Sequence, residues 1–152
     1  MPEPLPIRVR YAEWRLDETA IAALRRAVFI DEQGVPEALE WEAIDAECTW
    51  FVAEKVAEKG AVGEIIGIVR LHPAGRVGRM AVRADWRRRG VGRALMRVLI
   101  DHACAIGLTG LGLAAQTHAL GFYQGFGFVA EGEVFDDAGI PHRRMRLSLP
   151  DE

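Results

Sequence analysis

The segment Val77-Gly-Arg-Met-Ala-Val-Arg-Ala-Asp-Trp-Arg-Arg-Arg-Gly-Val-Gly-Arg-Ala-Leu-Met96 constrains this chain more than any other. An apolar strand runs through a short basic loop containing two glycines straight into a helix, in which Val91, Leu95, Leu99, His102 and Ile106 fall on one face before Gly107 stops it. A further strand pattern, Leu108–Gln116, follows the helix. A strand–helix–strand unit of this kind is parallel and right-handed, so Val77–Arg83 and Leu108–Gln116 are expected to be parallel neighbours in an α/β fold.

The rest of the chain fits around that unit. Ile7, Val9 and Tyr11 alternate with Arg8, Arg10 and Ala12 as a half-exposed strand does. Asp17 suits the cap of a helix with Ile21, Leu24 and Val28 on one face, running to about Ile30. Helical turns are expected near Pro36–Ile44. Three strand-like runs, Trp50–Val56, Ile65–His72 and Val77–Arg83, are separated by Lys59–Gly60 and Pro73-Ala-Gly75, which suits an antiparallel meander. A brief helix near His118–Gln124 and a closing hairpin of Phe128–Phe135 and His142–Leu149 complete the order. The expected sheet is mixed and largely antiparallel, with one central parallel step and flanking helices, in a single domain spanning residues 1–152.

Half of the residues are hydrophobic, 27% are charged and the mean hydropathy is +0.04, which excludes disordered and fibrous classes. No apolar run approaches the length of a membrane span, and the first residues lack a signal-peptide pattern, so a cytoplasmic protein without membrane contact is expected. Cys48 and Cys104 are too few for a disulfide scaffold and have no metal-ligand spacing, so reduced thiols and no metal are expected. The net charge of −3 hides a segregation, with seven acids and no Lys or Arg from Asp31 to Glu47, and nine arginines with Asp85 as the only acid from Arg70 to Arg97. Such blocks are usually solvated faces, but they also suit a site that holds a polyanion on one side and a cation on the other.

The glycine loop is built for an anion. Gly90 and Gly92 allow backbone N–H groups to approach it, the helix N-terminus supplies unpaired donors, and Arg87, Arg88, Arg89 and Arg93 supply charge. No Gly-Lys-Ser/Thr follows and the three-glycine dinucleotide spacing is absent, leaving a pyrophosphate as the best-fitting guest. Arg87-x-x-Gly90-x-Gly92 after a hydrophobic strand resembles the acyl-coenzyme A loop of the GNAT N-acetyltransferase superfamily. Ala115-Gln-Thr-His-Ala-Leu-Gly-Phe-Tyr-Gln-Gly-Phe-Gly-Phe128 resembles that superfamily's second landmark. With Phe29-Ile-Asp-Glu-Gln-Gly-Val-Pro36 and Gly139-Ile-Pro-His-Arg-Arg-Met145, the pattern is similar to the ElaA-like branch over about residues 20–149.

The resemblance implies the GNAT fold, with a splayed central strand pair, and acetyl-CoA as co-substrate. Met80, Ala81 and Val82 would pair with pantetheine, residues Arg87, Arg88, Arg89, Gly90, Val91 and Gly92 would hold the pyrophosphate, and Arg93 would reach a phosphate. Gln116 stands where many relatives have Asn. Phe122 belongs to the aromatic group beside the cofactor, and Tyr123 would hydrogen-bond the departing thiolate. With reference values near 10 for tyrosine and 8.5 for a thiol, outright proton donation is slightly uphill.

The amine acceptor must lose a proton. Candidate bases are Glu32, Glu40, Asp45, His72, His118 and His142, with Glu32 ranked first and His142 second, both from the resemblance. The reading is transfer of acetyl from acetyl-CoA to a primary amine, on a small molecule, a protein lysine or an N-terminus, by direct attack. Acidic lips would suit a cationic acceptor. The alternatives are a non-catalytic acyl-CoA-binding or sensor module, transfer of another short acyl group, and a nucleic-acid binder using the arginine run. No nucleic-acid partner is expected, and a homodimer is left open.

Overall fold

A computed structural model describes residues 6–56 and 63–150. Strands β1 (Ile7–Tyr11), β2 (Thr49–Lys55), β3 (Ile65–Leu71) and β4 (Val77–Val82) form an antiparallel meander in that order. The expected Lys59–Gly60 turn lies outside the described residues. Strand β2 is buried on both faces, with Phe51 and Ala53 toward one core and Trp50 and Val52 toward the other. That is why it reads as a continuous apolar run.

Helix α1 (Trp14–Arg25) continues as a π-helical stretch, Arg26–Glu32, and packs Ile21, Leu24 and Val28 on one face of the meander. It starts three residues before the expected cap. Asp17 sits inside the first turn, where it accepts from the Glu13 amide at 2.8 Å and pairs with Arg10. Helix α2 (Glu37–Glu40) and a 3₁₀ stretch, Ala43–Glu47, supply the turns expected after Pro36.

Helix α3 (Val91–Ala105) covers the opposite face with Val91, Leu95, Met96, Leu99 and Ala103 buried. Burial of each of the four larger side chains, Val91, Leu95, Met96 and Leu99, contributes about 1.5–3 kcal/mol. Two residues of the expected stripe behave differently. His102 is half-buried with Nδ1 2.9 Å from the Tyr11 hydroxyl, and Ile106 lies past the last helical residue and is exposed.

Strand β5 (Gly110–Gln116) is followed by a 3₁₀ turn, the short helix α4 (Leu120–Gln124), and the hairpin β6 (Val129–Asp137) and β7 (Ile140–Ser148). Strand β7 lies between β5 and β6, antiparallel to both. The expected parallel step between β4 and β5 is present as one bridge, Arg76 to Gly112, reinforced by the Gly112 amide donating to Gly75 O at 3.0 Å. Beyond it the two strands no longer pair, so the fold consists of a four-stranded and a three-stranded ladder touching at one corner. The architecture is the expected mixed α/β arrangement, largely antiparallel with one central parallel contact and flanking helices.

Candidate active site

The divergence of β4 from β5 opens a cleft of about 1470 Å³ lined by both strands, the loop before α3, α4 and the π-helical stretch. A bulge helps to create it. Ile68 pairs with Ala81 but Arg70 pairs with Gly78, so β4 carries one residue more than β3 across the same interval. Arg79 takes up the slack at φ +51°, a backbone state unusual for a side chain other than glycine. The Arg83 amide donates to Ile66 O on β3. Successive amides on a strand point to alternate sides, so the Val82 amide points toward the gap.

Arg79 is held by part of a closed ring of six charges. Arg25 Nε lies 2.7 Å from Glu40 Oε2, which lies 3.0 Å from Arg79 Nε; Arg79 Nη2 lies 2.9 Å from Glu42 Oε1. Glu42 Oε1 lies 2.9 Å from Arg70 Nη1, which lies 2.7 Å from Asp45 Oδ1, and Asp45 Oδ2 closes the ring 2.8 Å from Arg25 Nη1. Three guanidiniums and three carboxylates balance. The Arg79 Nε contact is an ion pair off the hydrogen-bonding direction. Trp41 and Trp50 cover Arg25, with ring centroids 4.9 and 5.2 Å from its guanidinium carbon. Burial alone would raise the Asp45 carboxyl, but the Glu42 amide and the Arg25 and Arg70 guanidiniums outweigh it and hold it below the ordinary carboxylate range.

This ring revises the reading of the acidic segment. Five of its seven acids, Glu32, Glu37, Glu40, Glu42 and Asp45, lie within ion-pair distance of an arginine. The acidic and basic blocks neutralise each other across the fold, so no broad anionic lip forms from them.

At the glycine-loop end, Gly90 caps α3 at φ +86° and Arg88 also adopts positive φ, at +62°. Left-handed residues before a helix turn successive amides toward one point, the concavity that accepts an anion. A Cβ at Gly92 would lie 3.3 Å from Phe122 Cζ and 3.6 Å from Met80 Sδ, so the glycine keeps α3 close to the aromatic group. Arg88 and Arg93 are exposed at the rim, and Arg89 lies over the Trp86 ring at 4.7 Å. These residues fit a pyrophosphate. Arg87 donates from Nε to Val82 O and from both Nη atoms to Glu32, at 2.7 and 2.8 Å. The bidentate Arg87 guanidinium holds the Glu32 carboxyl below its usual range.

Deeper in the cleft Tyr123 stands between α4 and β4, packed edge-on against Phe122 and Phe128. Among the described residues its hydroxyl finds only the Met80 thioether, at 3.9 Å, and burial pushes its pKa up to about 12. It is therefore a donor with little tendency to ionise.

Across the gap, Gln116 Nε2 donates to Gln33 Oε1 at 2.9 Å, and Gln116 Oε1 lies 2.7 Å from His118 Nε2. His142, opposite Gln116 in the β5–β7 register, stacks on Phe135. Its Nδ1 lies 2.7 Å from Ile140 O. A carbonyl only accepts, so Nδ1 carries a proton, and the tautomer this contact selects has Nε2 as its acceptor. The structure thus brings Met80, Ala81, Val82, the glycine loop, Gln116, Phe122, Tyr123 and His142 around one cleft. Glu32 is not among the lining residues; its sequence neighbour Gln33 is. Sequence reasoning missed Gln33 and the ring, although the unusual density of paired-sign charge in the two blocks was visible. Among the other candidate bases, Glu40 and Asp45 are committed to the ring, and His72 Nδ1 accepts from the Ala74 amide. Cys48 and Cys104 are free thiols outside the cleft lining, and among the described residues no helix is long and apolar enough to cross a membrane.

Comparison with known proteins agrees with this geometry. The chain is 34% identical over 126 residues to the uncharacterized N-acetyltransferase YjcF of Bacillus subtilis, covering 80% of this chain and 86% of the relative. It is 32% identical over 130 residues to protein ElaA of Escherichia coli, covering 83% and 84%. The crystal structure of an acyl-CoA N-acyltransferase from Pseudomonas aeruginosa superposes with a TM-score of 0.77 at 27% identity, over 92% of this chain and 98% of that one. The acetyltransferase (GNAT) domain family matches residues 16–149, and the chain belongs to that family.

Proposed function

We propose that the protein transfers an acetyl group from acetyl-CoA to a primary amine by direct attack. The observation that carries this reading is the gap between β4 and β5. It has anion-binding amides at one end, a strand amide at Val82 facing inward, and the Tyr123 hydroxyl beside it.

In this reading the Gly90–Arg93 amides, Arg88, Arg89 and Arg93 hold the pyrophosphate. Arg87 joins them by exchanging Glu32 for a phosphate. The pantetheine lies along Met80–Val82. The amine nitrogen attacks the thioester carbonyl carbon, forming the C–N bond and an oxyanion that the Val82 amide stabilises, and collapse of the oxyanion restores the carbonyl and breaks the C–S bond to release the thiolate. Tyr123 donates a hydrogen bond to the leaving thiolate. Its high pKa favours hydrogen bonding over full proton transfer. His142 Nε2 takes the proton lost by the amine, directly or through one water. Glu32 was the first-ranked base on resemblance, but its ion pair with Arg87 and its place outside the cleft lining favour His142.

Release of free CoA thiol from acetyl-CoA, measured across a panel of primary amines, tests the reaction. His142→Gln should lower turnover about a hundredfold with acetyl-CoA affinity retained, whereas Glu32→Gln should mainly alter acetyl-CoA affinity. Equal turnover in His142→Gln and wild type would remove the base assignment, and amine-independent binding without CoA release would favour a sensor module.

A further inference from the structure

The half of the cleft remote from the glycine loop has its own charge pattern, and it is not the one the acidic segment suggests. On β5 and β7 the residues facing α3 are Leu111, Leu113, Ala115 and Met145, all in the core. Alternation puts Gly112, Ala114 and Gln116 of β5 and His142, Arg144 and Arg146 of β7 on the opposite face. Three strands meet in one row there: Arg76 at the foot of β4 bridges Gly112, and Gly112 pairs with Arg146. Residues in one row of a sheet share a face, so two arginines flank a position with no side chain. A Cβ built at Gly112 would meet nothing closer than Met145 O at 3.9 Å, which leaves the floor of the row open.

Neither Arg76, Arg144 nor Arg146 lies within 4.0 Å of a carboxylate among the described residues, in contrast to Arg25, Arg70 and Arg79. The nearest acids in register are on β6. Glu131 stands opposite Arg144 and lines the cleft together with Asp137 at the hairpin end, while the β6 partner of Arg146 is the uncharged Val129, so in register the charge of Arg146 and Arg76 is the one left unopposed. The row is also far from the cofactor's phosphates. The whole of β4, Val77–Val82, separates Arg76 from the glycine loop, roughly 20 Å of strand.

Resting on the transfer reading above, we propose that the acceptor is a primary amine carrying an anionic group, a carboxylate or its equivalent, bound by Arg146 and Arg76 over Gly112 with Arg144 beside them. Arg144 lies two residues and Arg146 four residues from His142 along β7. The spacing between the amine and the anion is therefore roughly 7–13 Å. The ring of Arg25, Glu40, Arg79, Glu42, Arg70 and Asp45 contributes by removing the carboxylates that would otherwise favour a polycation.

Two series of amines matched in shape and differing in charge test this. One consists of 6-aminohexanoate, hexylamine and 1,6-diaminohexane, and the other of 4-(aminomethyl)benzoate, benzylamine and 1,4-bis(aminomethyl)benzene. Initial rates of CoA release give kcat/KM for each, and a thermal shift with acetyl-CoA alone reports cofactor binding. The expected result is a preference for the carboxylate over the diamine of about ten- to a hundredfold in at least one series, expressed mainly in KM. In the Arg144→Gln/Arg146→Gln variant the preference should fall to about threefold or less, with hexylamine or benzylamine turnover and the acetyl-CoA thermal shift retained. A diamine preferred over its carboxylate partner, or a carboxylate preference that survives in the double variant, overturns the anion site and leaves the transfer reading standing. A clear acetyl-CoA thermal shift with no CoA release from any of the six amines counts against the transfer reading, and the anion site falls with it.

Discussion

Replacing Arg25 by Met breaks the charge ring at its most buried member. The side chain is 1% exposed, and its loss leaves Glu40, 2% exposed, with only the off-axis contact to Arg79, and Asp45, 6% exposed, with Arg70. The ring passes from balanced to a net charge of −1, with the uncompensated charge at its buried end beside Glu40 and Asp45. Removing one partner of a buried ion pair typically costs about 3–5 kcal/mol, because the remaining charge stays desolvated. In a chain of this size each kcal/mol lowers the melting temperature by about 2–4 °C, so a drop on the order of 6–20 °C is expected. The adjacent Arg26 provides the control. It pairs with Glu37 on the surface, where both side chains are about half exposed and water screens the pair, so Arg26→Met should leave the melting temperature nearly unchanged. Thermal and urea unfolding of both variants, followed by circular dichroism, decide the matter. If Arg25→Met melts within about 3 °C of Arg26→Met, the ring is not a stabilising element of the fold.

Tyr123→Phe should keep its packing against Phe122 and Phe128, leaving acetyl-CoA affinity nearly intact, while slowing single-turnover acetyl transfer about ten- to a thousandfold; a wild-type single-turnover rate would make Tyr123 a packing residue only. Gly90→Val places a β-branched residue at φ +86° and should weaken acetyl-CoA binding in calorimetric titration, and an unchanged affinity in the folded variant would reject the anion role of that loop. Asp17, held low by Arg10, and Asp45 both have folded-state pKa values below their unfolded ones. Their stabilisation is therefore fully present above about pH 4 and is lost as the pH falls through the folded values. Unfolding monitored from pH 7 downward should show its steepest loss in that acid range, and a loss that begins above pH 5 would point to other groups.

What could be read from the sequence was what neighbouring residues decide together. The alternation in Ile7–Tyr11, the apolar face of α3 and the Arg89-Gly-Val-Gly92 turn are local patterns, and each appears in the fold because backbone periodicity and glycine geometry act over a few residues. The parallel step was also legible, because a right-handed crossover leaves β4 and β5 little choice of arrangement. The splay of that pair was legible only through the family resemblance, and the bulge at Arg79 that accompanies it has no local signal. The boundary of α1 was misplaced for a related reason: Asp17 has the chemistry of a cap but spends its carboxylate on Arg10 and the Glu13 amide from within the first turn. The acidic segment was the least legible feature. Seven acids in a row of seventeen residues look alike in one dimension. Their partners Arg25, Arg70, Arg79 and Arg87 come from a helix, two strands and a loop that only the folded topology brings together. Whether such a stretch is an anionic lip or a neutralised wall depends on those pairings across 15 to 55 residues of sequence. Once they are counted, the paired acids no longer argue for a cationic substrate, and the arginines without a carboxylate partner among the described residues, Arg76, Arg144 and Arg146, become the basis for the anionic-acceptor proposal.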